Sequence, residues 1–233
     1  MAPVFDRDLA LNTVLPLCSA AYDTTTIPAA WNLVAKIEPL DYGFIAISGS
    51  GELSINFRGT DQSKPDAEWW ADFDFFPVKN YYGEGTVARG FQDVYSRVQQ
   101  CVADAVASQK YGSLLIVGHS LGAASAVECA ADMARSGARP RVYTVAGPRV
   151  GKRDFAAWFD SLVPDCFRIV NAWDPVPHQP SAILGFEHVG HGVLVNGGFT
   201  MDWHRAHSIP LSYVPGVAKL PPDHTQTPIA KVA

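Results

Sequence analysis

One serine in this chain is set up for nucleophilic chemistry by its neighbours. Residues 113–122 read SLLIVGHSLG: an apolar β-type run at 114–117, then Gly118-His119-Ser120-Leu121-Gly122, then an alanine-rich helical run at 123–135. Strand, tight turn and helix in that order are what a nucleophile elbow requires. At so sharp a turn Gly118 and Gly122 leave no room for side chains. Such a turn is expected to hold Ser120 in strained backbone with its hydroxyl exposed, and the helix N-terminus to turn free N–H groups toward developing negative charge. The five-residue pattern by itself matches many chains; the strand before it and the helix after it make it specific.

A serine hydroxyl attacks poorly at neutral pH without a base, and the base needs a carboxylate to fix its tautomer. Behind an elbow of this kind the chain order is serine, then Asp or Glu, then His, which confines the search to residues beyond 120. Asp174 stands just past the C-terminal end of a strand expected at 167–171, the edge where sites form in open α/β sheets, and Pro175 and Pro177 stop that strand and stiffen the loop. Asp165 lies at the wrong end of the same strand, Asp154 and Asp160 fall within a helix, and Asp202 sits too close to the candidate histidines to be placed. Of the seven histidines, His119 is inside the elbow and directed away from Ser120, His178, His188 and His191 follow Asp174 closely, and His224 is in the tail. His204 and His207 are three apart, and spacing alone does not separate them. For the oxyanion hole the backbone N–H of Leu121 is one donor; the turn Arg58-Gly59-Thr60 offers the other at Thr60, with Arg58 read as a structural ion pair.

These groups need a scaffold. Apolar residues at helical spacing over 8–22 suggest a leading helix covering a sheet, with Pro16 as an interruption. Strands are expected at 32–38, 42–48, 52–57, 141–146 and 167–171, and helices at 87–107 and 154–162. From 114 to 171 the alternation of strand and helix indicates a parallel sheet with right-handed crossovers. Residues 62–86 are crowded with aromatics: Trp69, Trp70, Phe73, Phe75, Phe76, Tyr81 and Tyr82. Asp66 could cap a short helix with Trp69, Trp70 and Phe73 on one face. Core packing and an apolar binding surface are equally good readings of these rings. The tail after Pro210 reads as a wrapping or disordered extension.

Size and composition set outer bounds. The chain has 233 residues, 48% of them apolar, which fits one α/β domain with a single buried core. A net charge of −5 with no basic stripe makes nucleic acid an improbable partner. Four scattered cysteines show no CxxC pair and no metal-ligand spacing. Asp6, Arg7 and Asp8 stand where a signal peptide would need a basic start and an unbroken apolar core, and no run reaches the ~20 apolar residues of a spanning helix. The expectation is a soluble, intracellular protein without a transmembrane segment.

With these residues in view, the chain resembles the class 3 lipases, the fungal-type triacylglycerol lipase family. The matching segments are NFRGTD (56–61), WWAD (69–72), VARGFQDVY (87–95), IVGHSLGAA (116–124), YTVAGPRVGKRDF (143–155), RIVNAWDPVPHQP (168–180) and GFEHVG (185–190), in family order over most of 56–213. The resemblance implies a single α/β-hydrolase domain over 1–233, with a mostly parallel sheet flanked by helices. It implies Ser120 as nucleophile, Asp174 as the acid, and Thr60 and Leu121 as the oxyanion pair. The family's histidine precedes a tyrosine-containing segment, and HSIPLSY tips the choice to His207. Residues 62–86 occupy the place of the family's lid, which makes Trp69, Trp70, Phe73, Phe75 and Phe76 candidates for lid or acyl-pocket lining, and 214–233 becomes an extended tail. Ala88 stands where the family usually has histidine, a change expected to alter packing rather than chemistry. Secretion is common among such proteins.

The function expected is a serine carboxylic-ester hydrolase, a lipase cleaving acylglycerols at a lipid–water interface, with no metal and no organic cofactor. Phospholipase, galactolipase and feruloyl-esterase activities fit the same scaffold, as does an inactive lipase-like binding protein. The oligomeric state is left open.

Overall fold

The computed structural model describes residues 3–39, 41–60 and 73–222. Seven strands form the main sheet in the order β1-β2-β3-β6-β7-β9-β11. They are β1 (Trp31–Lys36), β2 (Gly43–Ser48), β3 (Glu52–Phe57), β6 (Ser113–His119), β7 (Pro140–Val145), β9 (Cys166–Asn171) and β11 (His191–Val195). β1, β2 and β3 pair antiparallel, and β3, β6, β7, β9 and β11 are parallel throughout. A small second sheet joins β4 (Pro77–Lys79), β5 (Thr86–Ala88), β8 (Gly151–Lys152) and β10 (Phe186–Glu187).

The central strand shows why this arrangement suits the sequence. Leu114, Leu115, Ile116 and Val117 of β6 are all buried, so an unbroken apolar run serves both faces of the sheet. Leu115 and Val117 point to a core with Tyr143, Ile169 and the N-terminal helix; Leu114 and Ile116 point to a second core on the opposite face.

On the first of these faces lies the leading helical segment, which runs as α1 (Arg7–Leu9), a π-helical stretch (Ala10–Val14) and α2 (Leu15–Ala20), with Pro16 in the first turn of α2. On the other face lie α3 (Arg89–Ser96), α4 (Gln99–Ala107), α5 (Leu121–Arg135) and α6 (Arg153–Leu162). Every residue of α5 is buried except Asp132 and Arg135. Its alanines let the helix lie close against β6 and β7.

Several expectations need correction. The single helix read over 87–107 is β5, then α3, then α4. The break at Arg97-Val98 lets Tyr95 and Val98 both enter the core. Residues 214–218 of the supposed extended tail are helical: a π-helical stretch (Ile209–Tyr213) runs into α8 (Val214–Ala218), which buries Gly216 and Val217. Pro210, which argued for a break, sits in the first turn of the π-helical stretch, where a missing N–H costs nothing, whereas Pro215 lies inside the continuous helical run, at the junction with α8. β11 and the second sheet were not expected. Residues 223–233, with His224, lie outside the described residues.

Candidate active site

The C-terminal ends of β3, β6 and β9 bring three turns to one edge of the sheet. Phe57 at the end of β3 pairs with Gly118 in β6, so the turn Arg58-Gly59-Thr60 lies beside the elbow. Ser120 has φ 58 and ψ −127, a conformation that L-residues rarely adopt, and its backbone N–H is fixed on the Val145 carbonyl at 3.0 Å. The two elbow glycines are sterically required. A β-carbon on Gly118 would strike the carbonyl of Gly122, and one on Gly122 would strike the carbonyls of Phe57 and Arg58. α5 begins at Leu121, whose N–H is among the four at a helix start that lack an intrahelical acceptor.

Asp174 follows β9 and is buried. One carboxylate oxygen, Oδ2, takes hydrogen bonds from His207 Nδ1 at 2.8 Å and from the Tyr213 hydroxyl at 2.7 Å, while Oδ1 takes the Val176 N–H at 2.9 Å. Burial pushes its pKa up, but the imidazole of His207 and these three donors more than offset that, and the net shift is downward. A carboxylate only accepts, so Nδ1 of His207 carries a proton, and in the neutral ring Nε2 is the nitrogen with the free lone pair.

His207 ends α7 (Trp203–His207), whose start is capped by Asp202 through bonds to the N–H groups of His204 and Arg205. The ring of His207 lies 4.6 Å from that of His119, the residue preceding Ser120. His204 is only part-buried and stacks on Trp203 at 3.7 Å instead. The remaining carboxylates have other partners: Asp165 pairs with Arg141, Asp154 accepts from the Thr86 hydroxyl, and Asp160 accepts from Gly190 N–H. His188 and His191 bond to the carbonyls of Pro177 and Pro164.

Arg58 differs from expectation. Its guanidinium donates to the carbonyl oxygens of Asp41 and Gly59 rather than forming an ion pair among the described residues. Phe73 and Phe75 pack on Phe91 of α3, at 4.8 and 5.9 Å, against the core of that face. Phe76 is exposed beneath the guanidinium of Arg89. Trp69 and Trp70 lie outside the described residues. Ala88 is buried and leads directly into α3.

Two residues of this site had no role in the sequence reading. Tyr213 donates to Asp174 and accepts the Asn171 N–H at 3.2 Å, while the Asn171 side chain donates to the Ala206 carbonyl at 2.8 Å and accepts from Gly197 N–H. Together they tie β9 to the segment carrying His207. The available signals were Asn171, three residues before Asp174, and the tyrosine of HSIPLSY, which served only to align the histidine. The described residues hold no cluster able to ligate a metal, and no helix among them is long and apolar enough to cross a membrane.

The chain is similar to known proteins. Residues 54–183 match the family described as lipase (class 3). A lipase of Rhizomucor miehei is 35% identical over 200 residues, covering 75% of this chain and 54% of that one. A lipase of Caenorhabditis elegans is 34% identical over 149 residues, covering 60% and 42%. The chain thus spans about half the length of the curated relatives it matches. Among solved structures, the Rhizomucor miehei lipase propeptide complex superposes with a TM-score of 0.70 at 29% identity, over 79% of this chain and 67% of that one. A triacylglycerol lipase described as having a serine protease triad at its catalytic centre superposes at 0.71 and 26% identity, over 95% and 94%. The parallel sheet, the elbow and these matches together make the chain a member of the class 3 lipase family, with the α/β-hydrolase fold.

Proposed function

We propose that this protein is a serine carboxylic-ester hydrolase, a lipase acting on acylglycerol esters. The observation that carries the reading is the Asp174–His207 hydrogen bond, 2.8 Å long and buried, beside a serine in strained elbow backbone. Ser120 Oγ attacks the ester carbonyl while His207 Nε2 takes its proton. The Thr60 and Leu121 N–H groups stabilise the oxyanion, and His207 returns the proton to the departing alcohol. Water then attacks the acyl-enzyme by the same route, and Ser120 is restored. Asp174 holds the imidazole in its Nδ1–H tautomer and stabilises the imidazolium formed in each half-reaction.

Acylglycerols are favoured over other esters by the names of the relatives, which include secreted mono- and diacylglycerol lipases. Exposed apolar side chains on the loops holding the acid and the base also support a lipid substrate. Trp173, next to Asp174, packs edge-on against Phe199 at 4.7 Å, and Phe199 and Met201 are 70% and 93% exposed ahead of α7. Of the aromatics in residues 62–86, Trp69, Trp70 and Phe76 are proposed as the lid-side lining of the acyl site, while Phe73 and Phe75 pack on Phe91 instead.

The test is Ser120→Ala on p-nitrophenyl esters and emulsified triacylglycerol. Loss of several orders of magnitude is expected, and a variant within about tenfold of wild type would exclude Ser120 as nucleophile. His207→Ala should collapse turnover where His204→Ala does not.

A further inference from the structure

Beneath the elbow, His119 makes two hydrogen bonds that have no part in the proposed chemistry. Its Nε2 lies 3.0 Å from the backbone carbonyl of His207, and its Nδ1 lies 2.7 Å from the Tyr22 hydroxyl. The Tyr22 oxygen in turn accepts the backbone N–H of Gly59 at 2.9 Å. A carbonyl can only accept, so Nε2 must carry hydrogen. In a neutral ring Nδ1 is then the acceptor, and Tyr22 must donate to it. The ring is fully buried, and burial together with the nearby His207 holds its pKa down to about 3, so it stays neutral through the working range. Every donor and acceptor in this chain of groups is therefore assigned: Gly59 N–H to Tyr22 oxygen, Tyr22 O–H to His119 Nδ1, His119 Nε2–H to His207 carbonyl.

From this geometry we infer that His119 and Tyr22 are positioning residues, forming one relay that fixes the oxyanion turn and the base relative to Ser120. At one end the relay holds the backbone N–H of Gly59, the residue before Thr60, the proposed oxyanion donor. At the other it holds the backbone of His207 itself. His119 is adjacent to Ser120 in the chain, so all three reacting parts are referenced to a single ring. Tyr22 follows α2 and lies outside the residues 54–183 that match the family. The leading helical segment thus contributes to the geometry of the site as well as covering the sheet. The inference rests on the reading of Ser120, His207 and Thr60 as reacting groups, and it adds no group that touches substrate.

Two measurements test it, one of them independent of activity. First, 15N spectra of histidine-labelled protein should show His119 as the Nε2–H tautomer, without titration from pH 5 to 8, and with a shifted Nδ1 resonance in Tyr22→Phe. An Nδ1–H tautomer, or titration in that range, overturns the inference whether or not the protein hydrolyses esters. Second, Tyr22→Phe should lower kcat on p-nitrophenyl butyrate by about tenfold with KM within about twofold. His119→Gln, which keeps one donor and one acceptor, should retain more kcat than His119→Leu at equal melting temperature. Unchanged kcat in Tyr22→Phe, or equal kcat in the Gln and Leu variants, overturns it. A wild-type protein inactive on every ester would instead refute the proposed function and leave the spectroscopic test to decide the relay.

Discussion

Gly59 and Ser120 approach so closely that a β-carbon on Gly59 would stand 2.7 Å from Ser120 Cβ, and equally close to the Tyr22 hydroxyl. Neither neighbour can yield, because Ser120 is fixed by the elbow and Tyr22 by its bonds to Gly59 and His119. Gly59→Ala must therefore displace the oxyanion turn. Loss of one well-aimed oxyanion donor costs about 10²–10³-fold in kcat, and a drop in that range is expected. Steady-state kinetics on a soluble ester, with melting temperature as control, checks it. A folded variant with near-normal kcat would dissociate this turn from catalysis.

Asp174 gives two graded predictions. Asp174→Asn removes the acceptor that selects the His207 tautomer and should lower kcat by about 10⁴-fold. Tyr213→Phe removes one of three donors to a charged group and should cost about tenfold. The pH dependence has a definite sign. The folded-state pKa of Asp174 is depressed, so its contribution to stability is present above the ordinary carboxylate range and lost as pH falls through the folded value. Tyr213→Phe raises that folded value, and acid unfolding followed by circular dichroism should begin at higher pH than in wild type. Coincident acid transitions would show that the Tyr213 bond does not support the charged form.

The difference in legibility among these residues has a physical basis. The elbow is encoded in contiguous sequence, because strand, glycine-flanked turn and small-residue helix are all local requirements. Asp174 is legible because the end of a strand and two prolines mark its place. His204 and His207 share one short helix, and only tertiary contact tells them apart: one meets Asp174 and the other Trp203. Tyr22, Asn171 and Tyr213 act through hydrogen bonds to residues far away in sequence, and no periodicity or spacing records such bonds. The helix at 214–218 was hidden because proline argues against a helix, and Pro210 and Pro215 stand at the start and in the middle of the run that forms it.

The apolar rim beside the acid and the base separates adsorption from chemistry. Phe199 and Met201 are largely exposed. Phe199→Ser should leave hydrolysis of dissolved p-nitrophenyl butyrate within about twofold of wild type. Transfer of one phenyl ring out of water is worth about 1.5–3 kcal/mol, so adsorption to emulsified triacylglycerol should weaken by about tenfold or more. Met201→Ser should act in the same direction. Equal loss on both substrates would place these residues in the acyl site instead of at the lipid surface.

Glu128 gives a prediction about stability away from the site. It lies in the middle of α5 with no exposed surface, and neither carboxyl oxygen has a hydrogen-bond partner among the described residues. Burial, with Asp132 one helical turn away, raises its pKa to about 8. The folded protein thus holds a proton that the unfolded chain releases at an ordinary carboxylate pH near 4.5. Between these two values stability must fall as pH rises, by about 1.4 kcal/mol per pH unit while the difference in protonation persists. Glu128→Gln cannot titrate and removes that slope. Its melting temperature relative to wild type should therefore climb steadily from pH 5 to pH 8 in calorimetry. A constant difference across the range would mean that Glu128 has the same charge in both states.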